Sequence, residues 1–92
     1  MSVLKFGRQL QAARALAGLD RAGLAEAAGL STFTVRKLEQ QERITAFSTT
    51  LDALEKALAE AGVELIGGDE PGVKLRKREP SAARNERTTR PP

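Results

Sequence analysis

The chain has 92 residues, of which 40% are hydrophobic and 29% are charged, and its formal net charge is +3. This length and composition are typical of one small globular domain with a thin core. Cysteine and histidine are both absent, which excludes a disulfide scaffold, a thiolate metal site and the commonest general base. We therefore expect no enzyme, no metal site and no cofactor. No apolar run approaches the roughly 20 residues of a transmembrane helix, and the N-terminus carries no signal-peptide pattern, which predicts a cytoplasmic protein.

The charge is distributed unevenly along the chain. Residues 1–43 contain seven basic and four acidic side chains, residues 44–72 contain one and six, and residues 73–92 contain seven and two. A basic first half and a basic tail therefore flank an acidic middle. This asymmetry predicts one surface that faces a polyanion and another that is held away from it. Charges placed only for solubility would give the same pattern.

Apolar residues at helical spacing predict four helices in the first two thirds of the chain. Gly18 and Gly29 end the first two helices, because glycine readily adopts the left-handed conformation that follows a helix. Asp20 and Ser31 are N-cap residues for the second and third helices. The predicted helices span residues 3–17, 21–28, 32–41 and 48–61, the fourth starting at Ser48 or Thr49.

After Gly62 the apolar period changes to two, which predicts two short strands, Val63–Ile66 and Val73–Arg76. In the resulting hairpin, Glu64 would face Lys74 or Arg76 across the pair. The residues beyond 76 are polar and basic, which predicts a disordered tail. We thus expect a mainly α fold: a four-helix domain over residues 1–62, a β-hairpin over residues 63–76 and a tail over residues 77–92.

Residues 20–39 have the organisation of a helix-turn-helix motif, in which the second helix of the motif is free to enter a DNA major groove. Burying Val35 and Leu38 leaves the other side of this helix bare. The polar and basic side chains on this bare side can hydrogen-bond to bases or phosphates, and Phe33 can contact a thymine methyl group. Phe33 has an alternative role, which is packing against Arg21 or an apolar patch. The residues on the bare side are Thr32, Phe33, Arg36, Lys37 and Gln40.

Spaced residues across the first three helices form a longer pattern than the motif alone. The pattern is Gly7-x-x-Leu10-x-x-x-Arg14-x-x-x-Gly18-Leu19-Asp20, then Leu24-Ala25-Glu26-Ala27-Ala28-Gly29-Leu30-Ser31, then Thr34-Val35-x-Lys37-Leu38-Glu39. It resembles the phage-repressor and Cro-like family of helix-turn-helix proteins, also called the XRE family. The chain departs from the family pattern at Gly23, where Glu or Gln is usual, and at Gln41, which replaces a common Gly.

The resemblance implies that residues 1–62 form a four-helix, repressor-like helix-turn-helix domain, followed by the short β-hairpin. It also implies a sequence-specific, DNA-binding regulator of transcription. It assigns base contacts to Thr32, Phe33 and Lys37, and the position of Arg36 on the same side of the helix adds that residue. It also implies a structural ion pair between Arg14 and Glu39. Contacts with the DNA backbone are expected from Arg21, Ser31, Gln40, Gln41 and Arg43.

A two-stranded hairpin is marginally stable alone, so its apolar face needs a cover. A second copy of the chain is the simplest cover, and the resulting homodimer would read a palindromic operator with half-sites about 34 Å apart. Alternatively, the hairpin folds against its own fourth helix, and that helix forms the dimer. The expected dimerisation residues are Val63, Leu65, Ile66, Val73 and Leu75.

Double-stranded DNA is the expected partner, and no small-molecule ligand is expected because the chain has no second domain to hold one. The alternative function is that of an antitoxin, which binds a toxin protein and also autoregulates its own operon. The basic residues of the tail either add phosphate contacts or serve only solubility. These residues are Lys77, Arg78, Arg84, Arg87 and Arg90.

Overall fold

The structure, a computed structural model, describes residues 3–76. These residues form four helices followed by a two-stranded antiparallel sheet, which confirms the predicted mainly α fold with a terminal hairpin. The tail over residues 77–92, with its five expected phosphate-binding bases, lies outside the described residues. The elements are α1 (Gly7–Ala17), α2 (Arg21–Ala28), α3 (Thr32–Glu39), α4 (Ser48–Glu60), β1 (Val63–Ile66) and β2 (Gly72–Leu75).

The predicted start of α1 was wrong by four residues. Phe6 is extended and forms an isolated β-bridge with Arg43, and the Ile44 N–H donates to the Lys5 carbonyl at 2.8 Å. The side chain of Gln9 accepts a hydrogen bond from the Lys5 N–H, also at 2.8 Å. These contacts hold the segment before α1 against the loop that follows α3, so it pairs as a strand does and cannot be helical.

Capping residues place α2 and α3 at their predicted N-termini. Asp20 accepts a hydrogen bond from the N–H group three residues later at 2.6 Å, and Ser31 accepts the equivalent bond at 3.0 Å. The first two helices end at Gly18 and Gly29, whose φ angles of 74° and 72° are left-handed. The third helix ends at Glu39, two residues earlier than predicted.

The hydrophobic core lies between the four helices and is completed by the first strand. Leu10, Leu24, Val35, Leu54 and Leu58 are fully buried, and burial of each such side chain stabilises the fold by about 1.5–3 kcal/mol. The small side chain of Ala25, 2% exposed, lets α2 and α3 pack closely. The remaining core residues are Leu4, Ala13, Leu38, Ala57 and Val63.

The hairpin has the predicted register. Val63 lies opposite Leu75, and Glu64 lies opposite Lys74. The latter two side chains form an exposed salt bridge at 3.7 Å, a type that contributes at most about 1 kcal/mol. The second strand begins and ends one residue earlier than predicted, at Gly72 and Leu75.

The chain's own helices cover much of the hairpin. Val63 is 2% exposed and belongs to the core, and Leu65 and Val73 pack partly buried against it. Of the two expected covers for this face, the structure shows the hairpin folded against its own chain, whose core covers most of the face. Leu75 and Ile66 remain 55% and 39% exposed.

A buried glutamine joins the hairpin to α1. The Nε2 atom of Gln9 donates to the carbonyl oxygens of Ile66 and Gly72 at 3.3 and 3.2 Å, and to that of Val3 at 3.0 Å. One side chain of α1 therefore connects both strands and the N-terminal segment.

None of the described helices has the length and the apolar composition that a membrane crossing requires.

Candidate nucleic-acid interface

One side of α3 is buried and the other is open to solvent. Val35, Leu38 and Glu39 are 0%, 4% and 2% exposed, respectively. The structure places all five side chains of the predicted bare side on one exposed surface, which we call the α3 face. Its residues are Thr32, Phe33, Arg36, Lys37 and Gln40.

The α3 face carries two basic side chains that are free of salt bridges among the described residues. Arg36 instead lies against Phe33, with 5.8 Å between the guanidinium carbon and the ring centroid. This separation is within the range of a cation–π contact. The ring of Phe33 is 63% exposed, so it is not buried in an apolar patch, which was one alternative for this residue.

A buried carboxylate lies behind the α3 face. The side chain of Glu39 is 0% exposed, and its Oε2 atom lies 2.6 Å from the Nε atom of Arg14. A second guanidinium nitrogen of Arg14 donates to Oε1 at 3.3 Å, and a third bond reaches the Leu19 carbonyl at 3.2 Å. The structural ion pair expected between Arg14 and Glu39 is thus confirmed, and it ties α1 to α3.

Arg21 also binds this carboxylate, which the sequence interpretation missed. Its Nε atom donates to Oε1 of Glu39 at 3.0 Å, and its side chain is 39% exposed. Arg21 therefore links α2 to α3 and still presents part of its side chain to solvent. A buried carboxylate requires paired charges and hydrogen bonds, and Arg21 supplies one of each to Glu39.

The turn that follows α3 is attached to the start of α1. The Gly7 N–H donates to the Gln41 carbonyl at 3.0 Å, and the Gln11 side chain donates to the Glu39 carbonyl at 3.0 Å. A Cβ atom at Gly7 would overlap the carbonyl oxygens of Gln41 and Glu39. Only glycine therefore allows this close approach, which fixes the C-terminal end of α3.

The remaining residues expected at the DNA backbone differ in their surroundings. The Ser31 hydroxyl is used for capping and also donates to the hydroxyl of Thr34 at 2.9 Å. The side chain of Gln41 is half-buried and accepts a hydrogen bond from the Thr45 N–H at 2.8 Å. Gln40 is exposed, and so is Arg43, whose guanidinium carbon lies 5.3 Å from the ring centroid of Phe6.

Comparison with known proteins identifies no family for this chain. No model of a known protein family matches the chain, and no curated protein is a significant match to it. The resemblance to the XRE family therefore stays a prediction from the quoted residues.

In the part of the chain that the structure describes, no three potential metal ligands form a cluster. The α3 face, with its exposed basic and polar side chains, is therefore the candidate binding surface.

Proposed function

We propose that this chain is a cytoplasmic, non-enzymatic regulator of transcription that binds a specific sequence in double-stranded DNA. The observation that carries the proposal is the α3 face itself. Among residues 3–76, no salt bridge involves Arg36 or Lys37, and the opposite side of their helix is buried. A short helix that presents free cations and polar groups in this way matches the recognition element of helix-turn-helix proteins.

The dimensions of α3 suit a major groove. An α-helix with its side chains is about 10–12 Å across, and the major groove of B-DNA is about 12 Å wide. The eight residues of α3 would therefore fit within the groove. Arg36 and Lys37 would donate to guanine O6 and N7, Thr32 would hydrogen-bond to a neighbouring base, and Phe33 would contact a thymine methyl group. The residues that we place at the DNA backbone are Arg21, Ser31, Gln40, Gln41 and Arg43.

Three attachments hold the recognition helix in place before DNA arrives. The carboxylate of Glu39 binds Arg14 of α1 and Arg21 of α2, and the turn after α3 is bonded to Gly7. A binding element held by packing and by hydrogen bonds loses less freedom when it binds. We therefore assign Arg14 and Glu39 a structural role and Arg21 a role in both the scaffold and a phosphate contact.

The charge distribution favours one orientation on DNA. Within residues 44–72, which include α4 and β1, six acidic side chains accompany a single Lys. Phosphates repel this part of the chain and attract the basic first half, so electrostatic steering would turn the α3 face toward the duplex.

We further propose that the active form is a homodimer joined along β2. The Arg76 N–H donates to the Gly62 carbonyl at 2.7 Å, so this pair is hydrogen-bonded and the adjacent Val63–Leu75 pair is not. The backbone groups of Val73 and Leu75 therefore point away from β1. A two-fold axis perpendicular to β2 at this edge would pair it antiparallel with the same edge of a second copy, with Leu75 in the interface.

Selection of bound fragments from random duplex DNA by the full-length protein tests the proposal. We expect enrichment of a palindrome whose two half-sites are separated by one helical turn, and a footprint over both half-sites. Equal affinity for enriched and unrelated DNA at the same salt concentration would contradict sequence-specific binding.

A further inference from the structure

Phe33 and Arg36 form a contacting pair at the surface of α3. They are three residues apart, which places them on the same side of the helix, and both are exposed. The guanidinium carbon of Arg36 is 5.8 Å from the ring centroid of Phe33. Because neither side chain is buried by other described residues, the pair can contact a ligand as one unit.

The two side chains suit different groups in the major groove. A guanidinium donates two parallel hydrogen bonds to O6 and N7 of guanine, whereas an aromatic ring makes an apolar contact with the C5-methyl group of thymine. Because Phe33 and Arg36 touch each other, the two groups that they contact must also be neighbours. In a duplex, a thymine methyl group and a guanine edge are neighbours when they belong to adjacent base pairs.

We infer that Phe33 and Arg36 together read a thymine adjacent to a guanine, and that this two-base step is part of the recognised sequence. The inference rests on the proposed DNA-binding function and specifies its substrate. Contact with the ring restricts the guanidinium before binding, so Arg36 loses less conformational freedom when it reaches guanine. Phe33 thus contributes to both contacts, directly at thymine and through Arg36 at guanine.

Base analogues in the selected fragment test each contact without changing base pairing. Replacing the thymine by uracil removes only the methyl group, and we expect about three- to fivefold weaker binding, the scale for one buried methyl group. Replacing the guanine by 7-deazaguanine removes one acceptor, and we expect about tenfold weaker binding, the scale for one charge-assisted hydrogen bond.

Variants of the full-length protein assign these penalties to side chains. Phe33→Ala should abolish the uracil penalty and reduce the 7-deazaguanine penalty, since the two residues are coupled. Arg36→Ala should abolish the 7-deazaguanine penalty. Phe33→Leu should keep the uracil penalty but reduce the other, because leucine contacts a methyl group without holding a cation. Phe47→Ala is the matched control, since Phe47 is 82% exposed and lies outside α3, and it should keep both penalties.

The outcomes separate this inference from the proposed function. Enriched fragments without adjacent thymine and guanine overturn the inference alone, as does wild-type binding that both analogues leave unchanged. A Phe33→Ala protein that binds every fragment more weakly, with both penalties intact, assigns Phe33 a structural role and also overturns it. A protein that enriches no sequence overturns the inference and the proposed function together.

Discussion

At the scale of single residues, the position of α3 depends on one buried carboxylate. Glu39 has a fully buried side chain and receives hydrogen bonds from Arg14 and Arg21. Removing one partner of a buried ion pair is costly because the other charge stays out of water. The ion pair is therefore a place where a single substitution should affect folding and DNA binding together.

Arg14→Leu should lower the free energy of unfolding by about 2–4 kcal/mol, because the carboxylate of Glu39 loses two of its hydrogen bonds while it stays buried. Urea titration followed by circular dichroism measures the change. Arg8→Leu is the matched control, since Arg8 is also on α1 but is exposed and forms no salt bridge among the described residues. Equal effects of the two substitutions would mean that the ion pair contributes no special stability.

Gly7→Ala should destabilise the protein by at least about 1–3 kcal/mol, because the new Cβ overlaps the backbone of the turn after α3 and backbone atoms cannot move aside cheaply. Gly72→Ala is the control. No atom lies within 4 Å of a Cβ built there, so this change should be neutral or stabilising by less than about 1 kcal/mol. The midpoints of thermal unfolding compare the two, and a neutral Gly7→Ala would show that the turn adapts.

The residue roles differ in how far the sequence predicts them. The pair of Arg14 and Glu39 was predicted through the spaced family pattern, which places both residues relative to known elements. The second bond, from Arg21, was missed because it depends on where α2 crosses the end of α3. No local pattern reports the distance between residues on crossing helices.

At the scale of elements, the N-termini of α2 and α3 were predictable because Asp20 and Ser31 cap them within four residues of sequence. The start of α1 was not, since Leu4 and Phe6 keep helical spacing with Leu10 while lying in a segment that precedes the helix. That the chain itself covers the hairpin was predicted only as an alternative, for a similar reason. It depends on packing against the core and on Gln9, and the sequence of the strands contains no sign of either.

Gln9→Leu should loosen the hairpin more than α2 and α3. The substitution removes the donor to the carbonyls of Ile66 and Gly72, and the loss of each hydrogen bond costs about 0.5–1.5 kcal/mol. Hydrogen exchange should become faster at the amides of β1 and β2 than at those of α2 and α3, because small regions can open independently. Uniform acceleration across the chain would show instead that the hairpin opens only with the whole domain.

At the scale of the whole molecule, the open edge of β2 and the acidic region around it set the proposed assembly. Leu75→Lys should weaken the homodimer at least about tenfold, because it brings two like charges together across the two-fold axis. Sedimentation equilibrium at micromolar concentration measures this change. Leu16→Lys is the control, since Leu16 is 39% exposed and lies on α1. A wild-type protein that is monomeric in this range, or equal association of both variants, would refute pairing through β2.

The general form of the molecule follows from its sequence more readily than its function does. Helix caps and apolar spacing define most of the elements, and the change of period at Gly62 marks the hairpin. The sequence also predicts which side of α3 is exposed, because Val35 and Leu38 must be buried. What this side binds depends also on groups outside the chain, which no pattern within the sequence describes.

The most direct test compares DNA binding by two double variants of the full-length protein on the selected fragment. Arg36→Ala with Lys37→Ala removes the two basic side chains of the α3 face, whereas Arg8→Ala with Lys56→Ala removes two exposed bases elsewhere. The first should lose roughly 1–3 kcal/mol of binding free energy for each base contact removed, with a shallower dependence of affinity on salt. The second should bind as the wild type does. Wild-type affinity and salt dependence in the first variant would contradict DNA binding through α3.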